Sequence, residues 1–168
     1  MIFEKISSGW NVLRTRSRHE KVVEKYLEQK QIEVYLPKVC KTSERKEAAT
    51  RLGRPLFPGY VFVKPQPNQI YGLNFIPGSC GMILERNRPG IVYESEIMAI
   101  RAVLAADFPL DLHPGLIVGV KVKVMAGPLA GIEGELVRLR DTQRLVINAK
   151  ILGQAVSVEI NHQHLVPL

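Results

Sequence analysis

From Val118 to Val124 a valine stands at every second position, with Lys121 and Lys123 between them. Alternation of this kind sends successive side chains to opposite faces of a strand, a period that no helix shares. Glycines at 119, 127, 131, 134 and 153 punctuate the same region and oppose long helices. Further strand-like runs cover residues 135–140, 144–149 and 156–160, with a polar turn at Asp141-Thr142-Gln143. Four or five strands in about 50 residues, with turns every eight to twelve, predict a small β-barrel. The valine content and the glycines predict a barrel from the outset.

Upstream the pattern is mixed. Residues 10–15 read as a strand. Ser17 and Glu20 have the spacing of a capping box, and Val22, Val23, Tyr26 and Leu27 recur at helical spacing. Together they predict a helix from about Arg18 to Lys30. Residues 32–37 and 59–64 are β-rich, the second with Tyr60 and Phe62 on one face and Val61 and Val63 on the other. Both faces of that strand are apolar, so one is expected to cover the domain's own helices and the other to serve as a docking surface. A short helix is predicted over Asn68–Phe75, weakened by Gly72. Another is predicted from a Ser95 cap to Ala106, with Ile97, Ile100, Val103 and Leu104 inward. The order β-α-β-β-α-β-α implies a small sheet covered by helices, an α+β sandwich. Two prolines and a glycine within Asp107–Gly115 mark a linker. The expected domains are therefore 1–106 and 117–168, joined by a linker at 107–116.

Charge is unevenly shared between these parts. Residues 1–110 hold 17 basic and 11 acidic side chains, net +6, and residues 111–168 hold 6 and 5, net +1. A basic first part points to a polyanion, nucleic acid ahead of membrane, because no basic amphipathic anchor is evident. No apolar run approaches the roughly 18 residues of a membrane span. Met1–Trp10 has no secretory-signal pattern. Cys40 and Cys80 need no disulfide in a chain long enough to have a core, which fits a reducing cytoplasm. His162-x-His164 has no Cys, Asp or Glu at ligand spacing beside it and reads as a solvated turn. Gly127, Gly131 and Gly134 form no phosphate loop, so no catalytic set, metal or cofactor is expected.

Two motifs are more specific: Pro55-Leu56-Phe57-Pro58-Gly59-Tyr60-Val61-Phe62-Val63 after a Trp-led strand, and Val120-Lys121-Val122-Lys123-Val124 running on to Gly134. The first resembles the amino-terminal (NGN) domain of the NusG transcription factors and the second a KOW motif. The resemblance runs from Trp10 to Leu168. Residues 43–46, 55–58 and 151–160 are similar to the specialised RfaH and UpxY type antiterminators. The fold this implies is an NGN-type sandwich followed by a five-stranded KOW-type β-barrel.

The function it implies is a non-enzymatic elongation and antitermination factor, operon-specific, monomeric and cytoplasmic. Such a factor bridges the RNA polymerase β′ clamp helices and β gate loop and disfavours pausing. For the clamp contact the resemblance points to Trp10, Phe57, Pro58, Tyr60 and Phe62, and for the gate-loop side to Tyr71 and Asn74. It places Arg14, Arg16, Arg18, His19 and Lys21 near the non-template DNA strand, where cations bind phosphate and His19 can stack on a base. The basic segment 38–54 is expected to be a hairpin loop that also reaches DNA. Leu129 and Ile132 mark the KOW loop that meets Rho or a ribosomal small-subunit protein. The competing implications are a housekeeping NusG assisting Rho and an RNA-binding ribosomal KOW protein.

Overall fold

A computed structural model describes residues 9–40, 53–139 and 141–168. Ser43, Glu44, Arg45 and Lys46, and with them most of the basic segment 38–54, lie outside the described residues. The chain divides into two compact units, Met1–Tyr93 and Glu94–Leu168.

The first unit is built on a four-stranded antiparallel sheet of order β2-β5-β1-β6. Its strands are β1 (Asn11–Thr15), β2 (Glu33–Tyr35), β5 (Tyr60–Lys64) and β6 (Ser79–Met82). Helix α1 (Glu20–Gln29) joins β1 to β2, and a 3-10 helix (Pro67–Phe75) stands where the short helix was expected. Two-stranded ribbons, β3 (Lys38–Val39) with β4 (Arg54–Pro55) and β7 (Leu84–Glu85) with β8 (Arg88–Pro89), complete the unit. One sheet face meets α1, and Leu13, Val61 and Val63 pack there with Val23, Leu27, Leu73 and Ile76.

The helix starts later than its sequence pattern predicts. Arg18 takes φ 61°, a left-handed conformation that separates Ser17 from the helix, so the capping box does not form. Glu20 is buried instead, and its Oε1 accepts the Gly59 amide at 2.7 Å.

The second unit consists of α2 (Glu94–Ala105) and six strands: β9 (Leu110–His113), β10 (Val120–Val124), β11 (Glu133–Leu139), β12 (Thr142–Ala149), β13 (Gln154–Glu159) and β14 (Leu165–Pro167). They form one antiparallel sheet of order β14-β10-β11-β12-β13-β9. Val122 and Val124 are buried, whereas Val118 lies before β10 and is 87% exposed, so the alternating stripe begins later than expected.

Two features differ from expectation here. The helix begins at Glu94, so Ser95 lies inside it rather than at its cap. Residues 110–113, placed in the linker by their flanking prolines, form a strand that pairs with β13 and adds a sixth member to the sheet. In β12, Leu145, Val146 and Ile147 are buried in succession. Consecutive buried positions require cover on both strand faces. Helix α2 packs against β12 and supplies part of that cover.

Candidate functional site

The sheet face opposite α1 carries an aromatic cluster. Strand register sets Tyr35 beside Phe62 and Val12 beside Phe62, so alternation brings these side chains to the same side. The Tyr35 and Phe62 rings stack with centroids 6.1 Å apart, Phe57 meets Phe62 edge-on at 6.1 Å, and Trp10 meets Tyr35 edge-on at 6.4 Å. Lys64 Nζ lies 5.7 Å from the Trp10 ring centroid, within cation–π range. Trp10, Phe57 and Phe62 are each at most 1% exposed. The aromatic face is therefore filled by its own rings and does not lie open as a row of docking aromatics. Of the five residues expected at the clamp, Tyr60 is half-buried and Pro58 exposed.

At the end of the same strands lies a basic loop. Arg14, Arg16 and Arg18 are exposed, and His19 and Lys21 are half-buried. Arg14 stands directly opposite Tyr60 across the β1–β5 ladder. The loop is held from both sides. The Thr15 amide donates to the Gly59 carbonyl at 2.8 Å, and the Arg16 amide donates to the Gly78 carbonyl at 2.8 Å. Glu20 closes the first of these contacts by accepting the Gly59 amide. Gly59 has φ +86°, which lets both of its backbone polar groups serve this junction. His19 Nδ1 bonds the Ser17 carbonyl at 2.8 Å, and its ring lies against Gly78, where an added Cβ would sit 3.0 Å from the His19 Cβ. Three exposed arginines thus sit on a pinned segment, with Arg14 opposite Tyr60 and Thr15 bonded to Gly59, the residue after Pro58. That arrangement can bind phosphate and an apolar or aromatic partner together, without covalent chemistry.

The remaining predicted positions fall elsewhere. Tyr71 and Asn74 are exposed on the 3-10 helix, with Phe75 beside them 84% exposed. Leu129 is buried, so it is a core residue of its loop, and Ile132 is half-buried, with its carbonyl accepting the Val124 amide at 2.9 Å. His162 and His164 lie in an exposed 3-10 turn capped by the Asn161 side chain. Cys40 and Cys80 are exposed and form no disulfide. Among the described residues no group of three or more His, Cys, Asp or Glu side chains could hold a metal ion, and no helix is long and apolar enough to cross a membrane.

Tyr35, Lys64 and Glu20 take part in this site in ways the sequence pattern did not reveal. Tyr35 was within reach, because it alternates with Val34 in a β-rich run. The link from Glu20 to Gly59 spans 39 residues and has no local signature.

Comparison with known proteins agrees with this architecture. A family model described as transcription termination factor nusG matches residues 8–101, more than half of the chain. The structure described as "Domain interaction in Thermotoga maritima NusG" is similar over 94% of this chain and 95% of that one, with 24% identity and a TM-score of 0.50. That likeness speaks to the fold. The structure described as "Crystal Structure of MjSpt4:Spt5 complex conformation A" covers 95% of this chain and 97% of its own, with 18% identity and a TM-score of 0.32, too low to inform the fold. No curated protein matches the sequence. With the family model spanning the sheet, the aromatic cluster and the basic loop, the chain belongs to the NusG family of transcription factors.

Proposed function

We propose that this protein is an operon-specific elongation and antitermination factor that binds RNA polymerase and suppresses pausing or termination. The observation that carries this reading is the pinned basic segment, with Arg14, Arg16 and Arg18 exposed and Arg14 opposite Tyr60 in the strand that follows Pro58. In the proposal Pro58 and Tyr60 meet the β′ clamp helices, and the packed Trp10, Phe57 and Phe62 rings form the base that holds them in place. The arginines, with His19 and Lys21, lie along the non-template DNA strand, and exposed Tyr71 and Asn74 face the β gate loop. A factor that binds the closed clamp better than the open one shifts the polymerase between the two states without any chemical step. The aliphatic, half-buried Ile132 favours antitermination over Rho assistance, because it offers no ring face or edge to a partner. The near-neutral charge of residues 111–168 weighs against an RNA-binding barrel.

The direct test measures capture of this protein by elongation complexes with an exposed non-template strand. Pro58→Ala combined with Tyr60→Ala should abolish capture while the fold is retained. Replacing Arg14, Arg16 and Arg18 by Gln should weaken capture and lower its salt dependence by about two logarithmic units per decade, from three lost phosphate contacts on a single strand. Unchanged capture by both variants would overturn the assignment of this surface.

A further inference from the structure

We infer that β9 is a latch strand: it occupies the edge of β13 reversibly, and its release opens that edge to an extended acidic peptide segment of a partner. The inference starts from how little apolar attachment β9 has. None of its residues is buried, Asp111 and Leu112 are exposed, and prolines stand on both flanks, at Pro109 and Pro114. The strand it covers is the opposite case, with Ala155, Val156, Ser157 and Val158 all buried. Strands with few buried contacts open locally at lower cost than the body of a domain.

What holds β9 down, besides its ladder with β13, is a polar network centred on Arg144 and Ser157. Arg144 Nη2 lies 2.8 Å from Asp111 Oδ2, and the Arg144 side chain is only 14% exposed. The same guanidinium donates to Ser157 Oγ at 2.9 Å through Nε and to the Ser157 carbonyl at 3.1 Å through Nη2. His113 Nε2 and Ser157 Oγ lie 2.8 Å apart. Asp111 and His113 are thus the two β9 side chains that reach Arg144 of β12 and Ser157 of β13.

When β9 leaves, a largely buried guanidinium loses its carboxylate. The β13 edge loses its ladder partner at Ala155–Val158. An exposed edge with an unpaired cation selects its occupant: an extended chain completes the ladder, and a carboxylate opposite Ser157 restores the Arg144 pair. A partner segment that pairs in this way would resemble residues 110–113 in chemistry, with apolar positions alternating with an acidic one.

Hydrogen exchange on the full chain, followed amide by amide, tests the first half. In the wild type, amides paired between β9 and β13 should exchange faster than those paired between β11 and β12. Asp111→Asn should raise exchange at the β9–β13 pairs by about tenfold, the equivalent of one charge-assisted hydrogen bond, and leave β11–β12 unchanged. Asp111 is 58% exposed at its side chain, so this substitution does not disturb the core. Equal acceleration in all strands, or none anywhere, would contradict a local latch.

The second half is tested with a labelled synthetic peptide of residues 107–115 added to the full-length Asp111→Lys variant, whose own strand is repelled by Arg144. The peptide should bind this variant and be excluded from the wild type. Replacing the peptide's own aspartate by Asn should weaken binding by about tenfold. Failure to bind the open variant, or equal binding to both chains, would reject the edge as a docking site.

Discussion

Glu20, buried at the start of α1, accepts the Gly59 amide at 2.7 Å and so couples the helix to the turn that carries Pro58. Glu20→Ala would leave that amide without its acceptor in a half-buried place, at a cost of about 1–3 kcal/mol. Glu20→Gln retains a carbonyl oxygen and should recover most of the loss. Thermal unfolding of the two variants checks this, and equal destabilisation by both would show that the hydrogen bond is not the source. At this scale the sequence was only partly legible. Alternation correctly separated Tyr60 and Phe62 from Val61 and Val63, because strand geometry admits only that outcome. The Ser17–Glu20 spacing misled, since nothing in the letters says that Arg18 adopts φ 61°. A non-glycine residue enters that region when surrounding contacts impose it, and here Thr15 and Arg16, at the start of the loop, are bonded to Gly59 and Gly78.

Among the elements, β5 and the turn before it divide support from presentation. Phe57 and Phe62 are buried in mutual contact, so Phe57→Ala or Phe62→Ala should each lower stability by about 3–5 kcal/mol. Pro58→Ala, at an exposed position, should move the melting temperature little and act on polymerase capture instead. Comparing melting temperature with capture for the three variants separates the two roles. If Phe57→Ala left stability unchanged while abolishing capture, the ring would be a contact residue and the proposed base would be wrong. The β1–α1 loop makes a similar prediction. Gly78→Ala places a Cβ 3.0 Å from that of His19 at φ +87°, so it should destabilise by about 1–3 kcal/mol and disturb His19. The nuclear magnetic resonance shifts of His19 would report that displacement. Elements with strong periodicity were legible, including α1, β5 and the alternating run of β10. Strand β9 was not, because four residues between prolines carry a turn signature that outweighs a short alternation of Leu110, Asp111, Leu112 and His113.

For the whole molecule, the sequence conveyed an α+β first part and a β-rich second part, and the observed elements are mixed up to residue 105 and almost all strands after it. The packing of α2 against β12 was out of reach, because its buried stripe has the same appearance whichever strand it covers. The valines and glycines after residue 117 foretold strands, and strands they form. A charge count separates the two parts as well, since the net +6 of residues 1–110 far exceeds the +1 of the remainder. The central claim is that these parts serve antitermination. It is tested most directly by transcription in vitro with purified polymerase, a template carrying terminators and Rho, with and without this protein. Antitermination predicts longer transcripts that read past the terminators and no added release at Rho sites. Shorter transcripts, with release at Rho sites enhanced, would contradict it.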